Sequence, residues 1–260
     1  MDADIAERFA LAKDLATEAG QVALDYWRRL ETLAVDLKGV QDLVSDADVA
    51  VERLIMDTLR ANYPSDAFLG EETGHADFPG STGIWVVDPI DGTQSFLSGL
   101  TSWCILVAYL RGDAVQFGAV CNPVAGELFN GGLVAPALLN GRPIRPRSGL
   151  ALTDGLTFLG CSPRVTADQI VPVLDRLMRA GGMFYRHGSG ALGLCDVACG
   201  RLIGYVEPHL NSWDCLGAIA VLRATGAQVS DFLSGDGLLH GNPLVAGPPA
   251  VYPALVEVLG

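Results

Sequence analysis

Residues 85–95 read WVVDPIDGTQS. The apolar run Ile84 to Val87 breaks into two aspartates three residues apart, Asp88 and Asp91, where a polar turn needs only one. Such a run predicts a buried strand, with Asp88 where the strand ends and Asp91, just before Gly92 and Thr93, as the N-cap of a following helix. An Asp-Gly pair between apolar runs is equally a hairpin signal. This stretch alone does not separate a tight turn from a pair of carboxylates held in place for chemistry.

Upstream of it, apolar residues recur at helical spacing from Ile5 to about Leu30 and again from about Asp46 to Asn62, ahead of Pro64. From Ile84 to Val134 the pattern becomes short β-rich runs, IWVV, CILVAYL and AVQFGAV, separated by Gly, Asp, Asn and Pro. That is a sheet with reversals. Beyond the loop NGRPIRPRSG the segments alternate: TFLGC strand, IVPVLDRLMRA helix, MFYRH strand, ALGLCDVACG helix, LIGYVE strand, WDCLGAIAVLRAT helix, then AQVSD. Alternation of this kind predicts a mostly parallel α/β sheet. A boundary near Ser148 divides the chain into an N-terminal α+β half, 1–147, with an antiparallel sheet, and a C-terminal α/β half, 148–260.

Composition narrows the function classes. The chain has 260 residues, half of them hydrophobic, enough for a sizeable core. A net charge of −13 argues against a nucleic-acid surface, which needs clustered Lys and Arg. It leaves phosphate chemistry open, because a cation can sit between acid and phosphate. No run of about 18 apolar residues marks a membrane span, and the acidic start MDADIAERFALAKDLATEAG is unlike a secretory signal. A soluble cytoplasmic protein is the expectation. Cys104, Cys121, Cys161, Cys195, Cys199 and Cys215 lie in apolar segments without CxxC spacing, as reduced core thiols would. His75, His187, His209 and His240 show no metal-ligand spacing, so surface or packing roles are expected of them.

The remaining acids shift the reading of Asp88 and Asp91. Glu71 and Glu72 follow the apolar pair Phe68 and Leu69, and Asp214 follows Trp213 in the first turn of a late helix. Loop acids usually face solvent, and a helix-start Asp usually complements the dipole. Three such sites, each where an apolar segment ends, also suit a different task. Hard divalent cations take carboxylate oxygens plus substrate phosphate, and paired cations clamp the attacking and leaving oxygens of a displacement.

Taken together, DLVSDAD (42–48), GEE (70–72), WVVDPIDGT (85–93) and NSWDCLGAIAVLRATGA (211–227) resemble the inositol monophosphatase family of Mg²⁺-dependent, lithium-sensitive phosphatases. The resemblance implies a layered α/β/α/β/α sandwich, usually a homodimer, with the site between two halves. It implies two or three Mg²⁺ ions: Glu71, Asp88 and the Ile90 carbonyl for the first, Asp88, Asp91 and Asp214 for the second. The amides of Gly92 and Thr93 would bind phosphate, Thr93 with Asp48 would orient the attacking water, and Glu71, Thr93 and Asp48 make up the catalytic set. Ser189, Gly190 and Glu207 would meet a polyol. The implied substrate is a small phosphorylated polyol, myo-inositol monophosphate first and histidinol phosphate next, with 3′-phosphoadenosine phosphates and fructose bisphosphate behind them. The chain departs from the family's usual pattern at Gln94-Ser95 and at Gly193, where relatives more often have Asp.

Two rival readings compete. Gly188, Gly190 and Gly193 match GxGxxG after MFYRH, with Glu207 where a ribose-binding acid would sit, as in a Rossmann-type dehydrogenase. That reading leaves the acids at 71, 88, 91 and 214 unexplained. The other rival is a non-catalytic interaction protein that keeps the fold. A serine nucleophile is not expected, since no GxSxG appears.

Overall fold

The computed structural model describes residues 3–39, 42–76, 80–148 and 151–260. The chain opens with α1 (Ala3–Trp27), then a ribbon of β1 (Val35–Gly39) and β2 (Asp42–Ser45), then α2 (Asp46–Asn62). The first helix stops at Trp27, short of the expected Leu30, and a 3₁₀ turn Leu30–Thr32 follows. The start of α2 is set by a capping box. The Ser45 hydroxyl accepts from the Ala47 amide at 3.2 Å, while Asp48 accepts from the Ser45 amide at 2.9 Å.

The first sheet holds β3 (Ala67–Gly70), β4 (Gly74–Ala76), β5 (Ile84–Asp91), β6 (Cys104–Arg111), β7 (Ala114–Asn122), β8 (Glu127–Gly132), β9 (Ala135–Leu139) and β10 (Arg142–Pro143). Its order is β10-β9-β8-β7-β6-β5-β3-β4, antiparallel except where β3 runs parallel to β5. Between β5 and β6 lies the five-residue α3 (Thr93–Leu97). After β11 (Leu156–Leu159) come α4 (Ala167–Arg179), β12 (Met183–Tyr185), α5 (Gly190–Ala198), β13 (Gly204–Leu210) and α6 (Ser212–Ala224). The chain closes with β14 (Gln228–Val229), α7 (Gly237–His240), β15 (Asn242–Gly247) and α8 (Tyr252–Leu259).

The second sheet, ordered β12-β11-β13-β15-β14, is mixed where the alternating pattern predicted mostly parallel strands. Pairings β11–β12 and β11–β13 are parallel, but β15 runs antiparallel to both β13 and β14. The strand that follows α6, β14, runs in the same direction as β13, as a helical crossover requires. It lies at the sheet's edge, and the chain turns back through the short α7 so that β15 fills the gap between β13 and β14 in reverse.

Stacking gives five layers: α1 and α2, the first sheet, α5 and α6, the second sheet, then α4 and α8. Three apolar clusters fill the spaces between them. The central helix α6 is buried on nearly every side, as a helix apolar all round must be. Its backbone touches β7 directly, since a Cβ on Gly118 would stand 2.1 Å from the Gly217 carbonyl oxygen. The layered fold thus has the architecture that the resemblance implied. All six cysteines are free thiols. No helix among the described residues is long and apolar enough to cross a membrane.

Candidate active site

The acids converge because strand ends from one sheet meet helix starts from the layer below it. β5 runs through Asp91, so Asp88 sits inside the strand rather than at its end. Pairing with β6 is irregular between Asp88 and Asp91, a bulge that contains Pro89, which has no amide to donate to a ladder. A bulge changes which way side chains point. The N-cap of α3 is Gly92, not Asp91. Gly92 has φ of 97°, a left-handed conformation, and a Cβ there would stand 2.9 Å from the Ser102 carbonyl oxygen, so only glycine fits between the strand and α3.

Glu71, Asp88, Ile90, Asp91 and Asp214 line one cavity of about 480 Å³, together with Gly92 and Thr93. Glu71 follows β3 on a turn whose amide donates to the Val87 carbonyl at 3.3 Å. Asp214 stands in the first turn of α6, accepting from the Asn211 amide at 2.9 Å. Asp88 is 1 % exposed and accepts from the Ile90 amide at 2.9 Å. Burial, and then the charges of Glu71, Asp91 and Asp214, push its carboxyl well above the usual carboxylate range. Asp91 is pushed up to about 7, by burial first and then by Asp214, against the opposing pull of Ser189 and two backbone amides.

An all-oxygen donor set in which carboxylates raise one another's proton affinity is matched to hard cations, whose charge would replace the protons. The residues therefore fit Mg²⁺ in donor chemistry. Among the described residues, no group of three or more His, Cys, Asp or Glu side chains stands in ready-made ligating geometry. The carboxylates share one cavity and act on one another electrostatically.

Thr93 joins the second part of the site. Its hydroxyl lies 3.2 Å from an Asp48 oxygen and 3.0 Å from the Ile90 carbonyl oxygen. Asp48 is fully buried, and burial raises its proton affinity against hydrogen bonds from Ser45 and Thr93.

The polyol residues expected from sequence divide. Gly190 and Glu207 line the cavity, but Ser189 does not. Ser189 is fully buried, and its hydroxyl donates to Asp91 at 2.5 Å while accepting from the Leu192 amide at 3.1 Å. That hydroxyl is spent on orienting Asp91. The Ala191 amide donates to the same Asp91 oxygen at 2.7 Å. Glu207 is 3 % exposed, accepts from the Tyr205 hydroxyl, and is pushed up to about 8, chiefly by burial. A Cβ at Gly160 would stand 1.9 Å from a Glu207 oxygen, so the missing side chain at 160 makes room for the acid.

The GxGxxG glycines have packing explanations. A Cβ on Gly188 would stand 1.9 Å from the Ser95 hydroxyl, on Gly190 3.1 Å from the Tyr205 hydroxyl, and on Gly193 2.7 Å from the Phe158 ring. The strand that carries Glu207, β13, is separated from β12 by β11 and so cannot flank a nucleotide bound at the end of β12. Both departures from the family pattern also find their partners here, Ser95 against Gly188 and Gly193 under Phe158. Of the histidines, His187 packs edge-on against Phe158 and pairs with Asp196 at 3.4 Å. His209 reaches the His240 carbonyl at 3.0 Å. The His75 side chain lies outside the described residues.

Sequence reasoning passed over two arginines. Arg164 and Arg186 line the same cavity. With its amide oxygen turned toward Arg164, Asn211 accepts from both guanidinium nitrogens at 3.1 and 2.9 Å, and Arg186 donates to the Cys161 carbonyl at 2.9 Å. The signal was faint: each arginine follows a strand of the second sheet, whereas Glu207 lies within β13.

A five-layer α/β sandwich with carboxylates gathered in one cavity beside a helix-start glycine is the class that fold and site together define. Comparison with known proteins makes the class specific: the model of the Inositol monophosphatase family matches residues 4–259, and the chain belongs to that family. It is 32 % identical to an inositol-1-monophosphatase of Mesorhizobium japonicum, over 94 % of this chain and 92 % of that protein. It is also 32 % identical to Nus factor SuhB of Haemophilus influenzae, over 91 % of this chain and 89 % of that protein. Among solved structures, the extragenic suppressor protein suhB from Bartonella henselae superposes with a TM-score of 0.88 at 29 % identity, covering 95 % of each chain.

Proposed function

We propose that the chain is a Mg²⁺-dependent phosphomonoesterase acting on a small polyol phosphate, with myo-inositol monophosphate its first substrate and histidinol phosphate the runner-up. The observation that carries this reading is the meeting of four acids from separate elements, Glu71 after β3, Asp88 and Asp91 on β5 and Asp214 on α6, in one cavity. In this reading Glu71, Asp88 and the Ile90 carbonyl hold one Mg²⁺, Asp88, Asp91 and Asp214 hold another, and a third ion is compatible with the same acids. The bound ions supply Lewis acidity and charge neutralisation at phosphate. The chain's own groups do the positioning. Gly92 and Thr93 present backbone amides to the phosphoryl oxygens, a favourable place for an anion. The Thr93 hydroxyl, donating to Asp48, keeps a lone pair to accept a hydrogen from the attacking water, and Asp48 is the terminal proton acceptor of that relay. Ser189 fixes Asp91. We take the site to lie between halves 1–147 and 148–260, in a cytoplasmic homodimer.

Phosphate release from a panel comprising inositol monophosphate, histidinol phosphate, 3′-phosphoadenosine phosphate and fructose 1,6-bisphosphate, with Mg²⁺ and with chelator, tests the reading. Mg²⁺-dependent turnover that is fastest on inositol monophosphate supports it. No release from any ester favours the second reading, a non-catalytic role, for which the observation is that several relatives are named Nus factor.

Glu207 gives a sharper test of the polyol side. One of its oxygens accepts from Tyr205, and burial favours the neutral acid at pH 7, so the other oxygen carries the proton and donates to a ring hydroxyl. Glutamine keeps that donor as its amide NH₂ and alanine does not. Glu207→Ala is therefore expected to lower kcat/KM on inositol monophosphate roughly tenfold, the scale of one buried hydrogen bond. Glu207→Gln should lose less, and glycerol 2-phosphate, which has no ring, should be nearly indifferent to either. Equal losses on both esters would assign Glu207 to the fold.

A further inference from the structure

Helix α2 carries a second acid that faces the site from behind. Glu52, one helical turn after Asp48, is fully buried. Its side chain leaves the helix and accepts two hydrogen bonds from the turn that follows β3: the Glu72 amide donates to Oε2 at 2.9 Å and the Thr73 amide to Oε1 at 2.8 Å. These are the amides immediately after Glu71. The approach is close because the neighbouring residue is glycine: a Cβ on Gly70 would stand 2.4 Å from Glu52 Oε2. A buried carboxylate receiving two backbone amides makes strong, directional bonds and fixes the peptide planes that donate them. α2 thus holds two separate pieces of the site through residues four apart, Thr93 through Asp48 and the Glu71 turn through Glu52.

We infer that Glu52 is a positioning residue that fixes the Glu71 turn for cation binding, and this rests on the proposed role of Glu71 as a metal ligand. Glu52 does not reach the cation. It sets the direction in which Glu71 leaves the backbone, in the way that partners of ligands commonly tune a metal site. Gly70 serves the same arrangement by leaving room for the carboxylate.

The test is Mn²⁺ binding to the whole protein, read from the free-ion electron paramagnetic resonance signal, beside kcat and KM. In Glu52→Gln one carboxylate oxygen becomes an amide NH₂ that opposes a backbone N–H, so one of the two bonds is lost. The expected result is Mn²⁺ affinity weakened about tenfold, and half-saturation by Mg²⁺ raised in parallel, with KM for the phosphate ester little changed at saturating Mg²⁺. Gly70→Ala, which pushes the carboxylate aside without removing it, should act in the same direction. Val51→Ala, fully buried in the same helix, is the control for lost stability alone: it should lower the melting temperature and leave Mn²⁺ affinity intact. In the wild-type chain with chelator present, the amides of Glu72 and Thr73 should exchange slowly with deuterium. Rapid exchange there, or an effect of Glu52→Gln on Mn²⁺ no larger than that of Val51→Ala, overturns the inference. Glu71→Gln separates the two layers of argument. If it binds Mn²⁺ normally the ligand assignment itself has failed, whereas if it binds weakly and Glu52→Gln binds normally only the positioning role has.

Discussion

Purified Asp88→Asn is expected to fold and to release phosphate at a rate lowered by several orders of magnitude at saturating Mg²⁺. Asp88 is placed as the ligand common to both cations. Loss of a mere partner of a ligand costs roughly 10- to 100-fold, so loss of the shared ligand should exceed that. Folding should survive for an electrostatic reason. The carboxyl is 1 % exposed, and burial together with Glu71, Asp91 and Asp214 raises its proton affinity, so ionising Asp88 without a cation is unfavourable and a neutral amide of the same shape takes that repulsion away. The metal-free variant should then melt at or above the wild-type temperature. Inactivity with unchanged or raised stability is the signature of a functional acid, and inactivity with collapse of the fold is not. Near-normal phosphate release would remove the two-cation reading. Asp214→Asn extends the test to α6. Its loss should be comparable, because Asp214 is the proposed ligand that the second half of the chain supplies.

Several of the site's features were legible because they depend on local rules. The start of α2 follows from a serine with an acid three residues on, and the structure builds that capping box at Ser45 and Asp48. The acids at 71, 88, 91 and 214 stood out because each interrupts or ends an apolar run, and the structure brings all four to one cavity. Legibility ended where a residue's role depends on partners distant in sequence. Ser189 looked like a substrate contact, yet its hydroxyl belongs to Asp91, 98 positions away. Glu52 drew no reading from the sequence, though its (i, i+4) relation to Asp48 marks a shared helix face. Asp91 looked like an N-cap because Asp favours that position, but a bulge carries the strand one residue further and hands the cap to Gly92. The direction of β15 was likewise invisible. β14 keeps the direction that the α6 crossover gives it, and the reversal through the four-residue α7 that inserts β15 beside β13 leaves no periodic signal.

Removing the cation should make the protein's stability fall as pH rises, opposite to the usual acid denaturation. Asp91 moves from 3.8 to about 7 and Glu207 from 4.5 to about 8. The folded chain therefore holds these protons more tightly than the unfolded chain does. The resulting stabilisation is fully present below the unfolded values, near pH 4, and is lost as pH climbs through 7 and 8. For Asp91 alone the rise from 3.8 to about 7 corresponds to ~4 kcal/mol, which for a chain of this size moves the melting temperature by on the order of 10 °C. Asp4 and Asp175 are lowered by hydrogen bonds from Arg111 and Arg179, so their titrations are complete at lower pH and do not enter the window. Melting curves in chelator between pH 5 and pH 8.5 are expected to show this decline. Glu207→Gln should flatten its upper end, and Asp88→Asn should reduce it overall by removing one member of the repelling set. Mg²⁺ at pH 8 should recover most of the loss, because a cation bound only by the folded chain stabilises it by mass action and neutralises the charges that the departed protons had masked. A chelated protein that is equally stable at both ends of the range, or that gains stability with pH and ignores Mg²⁺, would show that these carboxylates are not a cation site.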